Sequence, residues 1–366
     1  MHLTCDRKDL SAAWAKVSPV VPSRTPKPVL RHVRLDERDG ATSLSATDLE
    51  VGITVWFHGS RSSDSGTMLL PVDRVGQILR FATSEDVEFQ FEGKSVRVTC
   101  GRSNWTIQTE SADGYPEIPV PDVDCIAVEG VDAEVIARLV RRTSFAVDLT
   151  SQRYAIGGVR LEIGEKTVRG VATDGRRLAI QDETVPSAKG EMSVLIPGKA
   201  LNLIERACHD GGATLKANSK AVWFECGPTS IYSRQLVGQF PPYAAAIPGG
   251  AGVGLSRISA GALRLAAKQA AIASSEESRG VDLLFGSDGI RLSASAADVG
   301  ESLVTVDAEH SGDSGSSCVD SRYIEDSLAT IPADGMLEIS HHGEKQAMVL
   351  RTDDGWTYAM MPIVRD

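Results

Sequence analysis

The sequence is poor in the residues that most often carry chemistry. Six cysteines (Cys5, Cys100, Cys125, Cys208, Cys226 and Cys318) are spread through 366 residues with no C-x-x-C pair and no Cys/His ligand spacing. That excludes the common zinc and thiol-redox arrangements and leaves the thiols as small buried hydrophobes. The adjacent pair His341–His342 does not chelate from a strand, where neighbours point to opposite faces; a loop or strand edge is expected there. No metal and no cofactor are expected. Aromatic residues make up only 5%, so the cores must be built from Val, Leu, Ile and Ala. No apolar run approaches the roughly 18–20 residues of a membrane span. The opening "MHLTCDRKDL" is charged at once, without the apolar stretch of a secretory signal. A cytoplasmic protein with no membrane partner is expected.

What is present suits a soluble, multidomain chain. Hydrophobic residues make up 42% and charged residues 24%, enough for a core in each of two or three domains. The net charge of −11, if spread evenly, would argue against nucleic acid as a partner.

The chain repeats itself, however. "SATDLEVGI" (45–53) returns as "VATDGRRLAI" (171–180), placing Asp48 and Asp174 126 positions apart. "LPVDRVGQILRFA" (70–82) returns as "IPGKALNLIERAC" (196–208) at the same offset, and Gly101 and Gly227 keep it too. A fainter third copy runs through "ISAGALRLAAKQAAIAS" (258–274), "VDSRYIEDSLATIP" (319–332) and "KQAMVLRTDDGWTYAMMP" (345–362). Repeats at a fixed period define modules, with edges near "YPEIPVPDVD" (115–124) and "FPPYAAAIPGGAGVG" (240–254). Each module reads as two halves, a helix followed by strands. In the helix expected at 132–145, Val135, Ile136, Leu139 and Val140 form an apolar stripe, with Arg138, Arg141 and Arg142 off it. Strands with period-2 alternation follow, as in "VEFQFEG" (87–93). The fold class is α+β.

The charge is then not even. Segments 7–17, 71–82, 132–145, 197–207 and 260–272 are each net positive, and only 320–330 is negative, at −2. Basic helices stand in a chain whose strands and loops are acidic. Nothing assembles a catalytic centre: "GDSG" (312–315) has no matching histidine, and "GGAGVG" (249–254) fails the strand–loop–helix context of a dinucleotide site. Asp174 is shared by both "ATD" copies whereas Arg176 and Arg177 are not, which fits a turn former. A hydrolase or transferase using Asp174 is the remote alternative, and it needs a histidine or second carboxylate nearby.

The motifs "ATDLEVGI", "RYAIGGVRLE" (153–162), "VATDGRRLA", "GQFPPY" (238–243), "SRGV" (278–281) and "YAMMPI" (358–363) together resemble the beta sliding clamps of bacterial DNA polymerase III over nearly the full length. The resemblance implies a DNA-clamp fold of three repeated domains, here 1–122, 123–248 and 249–366. It implies a head-to-tail homodimeric ring with helices lining the hole, a non-enzymatic processivity factor that encircles duplex DNA without reading its sequence. Partners would be the polymerase III alpha subunit, the clamp loader and repair or other polymerases, through short clamp-binding peptides. A specialised or mobile-element clamp paralogue serving a dedicated polymerase is the nearer alternative.

By motif position, the family's DNA contacts map to Arg24, Arg74, Thr150, Tyr154 and Lys199; helix phase adds Arg138, Arg142, Arg264 and Lys268. The partner-peptide pocket maps to Ile156, Thr173, Gly175, Arg176, Arg177, Leu178, Pro241, Ala245, Ala246, Met361, Pro362 and Ile363. The dimer seam maps to Arg102, Asn104, Trp105 and Ile107 against Ile272, Ala273, Asp298 and Glu301. Departures from the family pattern stand at Asn104, Ala155, Gly198, Ala245, Ala246 and Val364. They imply a seam with one ion pair fewer, an altered hold on DNA and a roomier, less charged pocket.

Overall fold

The computed structural model describes residues 1–38, 40–62, 64–150, 155–207, 211–250 and 252–364. Among them are six α-helices, each entered directly from a strand: α1 (Arg7–Val17), α2 (Val72–Phe81), α3 (Ala133–Thr143), α4 (Gly198–Ala207), α5 (Ala260–Ala270) and α6 (Ser321–Leu328). The starts are chemically marked. Asp6 accepts from the N–H groups of Lys8 and Asp9, Ser259 from that of Ala262 and Asp320 from that of Arg322, which satisfies donors that the helix itself leaves unpaired. Helix α3 closes at Thr143, two residues short of the expected end, where a 3-10 turn (Ser144–Ala146) takes over.

Two compact units divide the chain: Met1–Ala137 with Ser187–Gln235, and Arg138–Pro186 with Leu236–Asp366. The division cuts through the second repeat because strand pairing does. In the first unit, Thr229–Arg234 lies antiparallel to Val51–Phe57, with Ile231 opposite Ile53. One sheet therefore runs Ile126–Asp132, Gly212–Ala217, Ala221–Cys226, Thr229–Arg234, Val51–Phe57, Ala41–Thr47, His32–Arg38, Gly66–Pro71. In the second unit, Arg177–Thr184 pairs with Trp356–Met360 and joins the second repeat's strands to the third's. Each unit has a further antiparallel sheet. The first unit's ends on Ser103–Gln108, the second's on Gly300–Val306.

The cores are as aliphatic as the composition demands, with a few large anchors such as Phe89 and Phe224 in the first unit and Phe285, Trp356 and Tyr358 in the second. Helix α1 buries Leu10, Ala13, Trp14 and Val17 on one face, a fully buried Leu or Val side chain being worth about 1.5–3 kcal/mol. The five described cysteines form no disulfide with one another; Cys5, Cys100 and Cys226 are buried and Cys125 and Cys318 half-buried. Of the histidine pair, His342 lies in a loop as expected and His341 does not. His341 ends Met336–His341, an interior strand, and is buried with its ring stacked 5.2 Å from that of Phe285.

The two "ATD" copies fold into the same turn. Thr47 Oγ1 donates to the Val51 carbonyl (2.7 Å) and accepts from Leu49 N–H, while Asp48 Oδ1 accepts from the N–H groups of Glu50 and Val51. Thr173 Oγ1 donates to the Arg177 carbonyl (2.7 Å) and accepts from Gly175 N–H, while Asp174 Oδ1 accepts from Arg176 and Arg177 N–H, both at 2.9 Å. The third residue is left-handed in both, Leu49 at φ 80° and Gly175 at φ 85°. Glycine adopts that conformation without strain, whereas a side chain pays for its Cβ. A Cβ at Gly175 meets nothing within 4 Å, so Gly175→Ala tests the backbone alone. It should destabilise the protein by about 1 kcal/mol, read as a lowered thermal-unfolding midpoint, with Leu49→Gly shifting the midpoint the other way.

Candidate functional site

Arg177 follows the second turn and organises what surrounds it. Its Nε donates to Asp174 Oδ2 and its Nη1 to Asp326 Oδ2 on α6, both at 2.9 Å. The guanidinium lies 4.6 Å from the Tyr323 ring centre and 5.7 Å from that of Phe145, a cation–π arrangement. Burial works against its charge, but Tyr358, Asp326 and Asp174 outweigh burial and hold its pKa above the ordinary arginine value. Asp326 is the second carboxylate absent from the sequence reading, and it reaches Asp174 only through this guanidinium. Both Asp174 oxygens are spent on backbone N–H groups and Arg177, which is a structural role. The signal for Asp326 was the single negative helix segment, 320–330.

Strand pairing brings much of the expected peptide pocket together. Arg177 lies opposite Met360 and Leu178 opposite Ala359. Met361 N–H donates to the Arg176 carbonyl at 2.8 Å, and Ile363 N–H to that of Cys318 at 2.7 Å. Ile156 and Leu178 are buried beneath, Pro362 and Ile363 half-buried, and Gly175, Arg176 and Met361 exposed. Pro241, Ala245 and Ala246 lie on a segment tied down by the Tyr243 hydroxyl, which donates to Glu162 at 3.1 Å; both alanines are exposed. Two expected hydrogen-bonding edges are already taken. Thr173 is buried in its own turn and Arg177 is held by two carboxylates, so Arg176 is the pocket's exposed cation.

The basic residues fall into two groups. Arg24, Arg74 and Lys268 are exposed, Arg264 is half-buried, and Thr150 is exposed with its hydroxyl on Asp148; Tyr154 lies outside the described residues. The others already hold carboxylates. Lys199 Nζ reaches Asp48 Oδ2 (3.1 Å) and Glu50 Oε2 (2.7 Å), and Arg138 makes a two-pronged contact with Glu183 at 2.6 and 2.7 Å. Arg142 corrects the helix-phase reading. It is only 6% exposed and bonded to Asp354 at 2.8 Å, with burial lowering its pKa. It is drawn inward because its own carbonyl accepts from the buried Trp356 indole at 3.0 Å.

The seam residues sit at sheet edges. Among the described residues Ser103–Gln108 pairs only with Ser95–Cys100, setting Trp105 opposite Val98 and Ile107 opposite Val96. Both valines are fully buried while Trp105 is 36% exposed, so the core's apolar face continues to the edge. Arg102 and Asn104 are exposed, with Asn104 accepting from the Thr99 hydroxyl. Among the described residues Gly300–Val306 pairs only with Gly289–Ala296. Asp298 and Glu301 are exposed there and Ile272 is 77% exposed, but Ala273 is buried at 6% and offers no side chain. Sequence reasoning passed over Leu303, 71% exposed on this edge, although its strand alternates visibly. Among the described residues there is no metal-binding cluster and no helix long and apolar enough to cross a membrane.

Repeated helix-plus-sheet modules, cations concentrated on the helices and an open strand edge in each unit define a DNA-clamp type of protein. Models of the DNA polymerase III beta subunit match in order: the N-terminal domain at 1–119, the central domain at 130–242 and the C-terminal domain at 252–364. The beta sliding clamp of Chlamydia muridarum is 30% identical over 86% of this chain and 85% of its own length. That of Pseudomonas putida is 26% identical over 99% of this chain and all of its own. The solved sliding clamp of Pseudomonas aeruginosa bound to griselimycin superposes with a TM-score of 0.91 over the whole of both chains, at 26% identity. This chain belongs to the DNA polymerase III beta subunit family, the beta sliding clamps. Its three repeated domains are clamp domains, and its function is that of a DNA sliding clamp supporting polymerase processivity.

Removing the organising guanidinium would leave Asp174 without its side-chain partner. Arg177→Ala should therefore cost about 3 kcal/mol, measured by urea unfolding, whereas Arg176→Ala, at an exposed position, should change stability by less than about 0.5 kcal/mol.

Proposed function

We propose that two copies close head to tail into a ring, with domains bounded at 1–122, 123–248 and 249–366, and that the ring encircles duplex DNA. The observation that carries this is the pair of open edges, Ser103–Gln108 and Gly300–Val306. Each presents unpaired backbone groups beside exposed apolar side chains, a template for pairing with another chain. Two different surfaces meeting head to tail close a ring when the rotation allows it. Trp105 and Ile107 of one copy would bury against Ile272 and Leu303 of the other. Arg102 would face Asp298 and Glu301, rim pairs worth only about 0–1 kcal/mol.

Exposed Arg24, Arg74, Lys268 and Thr150, with half-buried Arg264, would meet phosphates without reading base edges, which leaves the clamp free to move along any sequence. The turn at Thr173–Leu178 with Met361, Pro362 and Ile363 would receive short apolar segments of the polymerase, the clamp loader and other factors. With Ala245 and Ala246 exposed and uncharged, that pocket would be roomier than the family pattern and shifted in partner preference, which favours a specialised role. The proposed activity is non-catalytic and the proposed compartment the cytoplasm.

Loading onto nicked circular DNA followed by linearisation tests encirclement: the protein should remain on the circle and leave the linear form, and retention on linear DNA would sink the ring. For the seam, Trp105→Ala should turn a dimer into monomers at micromolar concentration in sedimentation velocity, and a persistent dimer would refute the assignment.

A further inference from the structure

We propose, on the reading that short partner segments bind beside Met361, that Asp326 is a specificity residue of that pocket. By holding the Arg177 guanidinium, it restrains the pocket's affinity for acidic segments.

The internal repeat supplies the comparison. At the 126-residue offset, Val51 stands where Arg177 stands, in a turn with the same Thr and Asp hydrogen bonds. Each turn faces a helix of the following repeat, α4 in the first copy and α6 in the second. The sixth residue of α4 is Leu203 and the sixth of α6 is Asp326. In the first copy, Val51 and Leu203 line one hollow and are 3% and 5% exposed. In the second, Arg177 Nη1 donates to Asp326 Oδ2 at 2.9 Å. An apolar pair in one copy is thus an ion pair in the other.

The fold does not require that exchange, because the first copy closes its turn with two aliphatic side chains. Replacing a buried ion pair by apolar side chains of similar volume is often neutral or stabilising. The charges at Arg177 and Asp326 therefore answer to something other than stability. What sets the second copy apart is its neighbour: Arg177 lies opposite Met360 in the adjoining strand, and Met361 beyond it is exposed.

Charge decides what the pair does there. The guanidinium is shared between Asp174 and Asp326. The Arg177 side chain is 11% exposed, whereas that of Asp326 is 48% exposed. An incoming carboxylate meets Asp326 before it meets the guanidinium, and must displace Asp326 to be bonded. Arg176, the preceding residue, is exposed and remains to attract it. A like charge set against the wrong partner gives specificity that attraction alone does not.

Anisotropy titrations of three fluorescein-labelled peptides test this role: Gln-Leu-Gln-Leu-Phe and its single-glutamate forms Glu-Leu-Gln-Leu-Phe and Gln-Leu-Glu-Leu-Phe. Asp326→Asn should raise affinity for at least one glutamate form about fivefold relative to the parent, and leave the parent within about twofold. Asp326→Glu should restore the original ratio. Arg177→Val combined with Asp326→Leu, which copies the first turn's pair, should unfold near the midpoint of the unmodified protein and show no such gain. The same change, or none, for all three peptides in Asp326→Asn would make the residue merely structural and overturn the proposal. So would a gain that persists in the double variant. No binding by the unmodified protein, or binding unmoved by Met361→Asp, would instead overturn the pocket itself and the proposal with it.

Discussion

Backbone hydrogen bonding at sheet edges is the constraint on which the rest of this molecule depends. A helix followed by a few strands leaves a row of N–H and C=O groups exposed, and such groups are costly to leave unpaired when buried. The chain answers by pairing across repeats, Ile231 against Ile53 and Ala179 against Tyr358. The second repeat therefore lends one half to each neighbour's sheet, and the compact units ignore the repeat boundaries. Other edges are tied in different ways: Glu129 and Lys189 exchange backbone hydrogen bonds, and Cys318 accepts from Ile363. Ser103–Gln108 and Gly300–Val306, one in each unit, end their sheets with a neighbour on one side among the described residues.

Within that frame, one turn serves two purposes. Thr and Asp fold it identically in both copies, and the residues after the aspartate decide what it faces. Arg177 recruits α6, and with it the acidic residues that make this helix the exception among basic ones. A carboxylate that looked poised for acid–base chemistry proves to be consumed by its own backbone and Arg177, and recognition is the proposed role of the surface above it.

The repeats, the helix positions and the shared turn were legible because they are local: offsets, periodicity and caps are properties of neighbouring residues. Charge segregation on the helices was legible for the same reason. Arg142 was misjudged because its burial is decided by Asp354 and Trp356, more than two hundred positions away. Asp326 and Tyr323 were missed because the third repeat is the faintest, and Ala273 because its burial depends on how the turn after α5 packs. Helical phase says which side chains leave a helix together; it does not say what waits for them.

The pairing of Lys199, Arg138 and Arg142 with carboxylates has a consequence for how DNA is held. A cation that already neutralises a carboxylate displaces few condensed ions when it meets a phosphate, and each true phosphate contact contributes about −0.9 to the slope of log affinity against log salt. With those three side chains engaged internally, the proposed electrostatic grip would rest on the few exposed arginines and lysines. Such a grip would be shallow in its salt dependence and low in friction. For a protein that must travel with a polymerase, staying threaded matters more than holding tight.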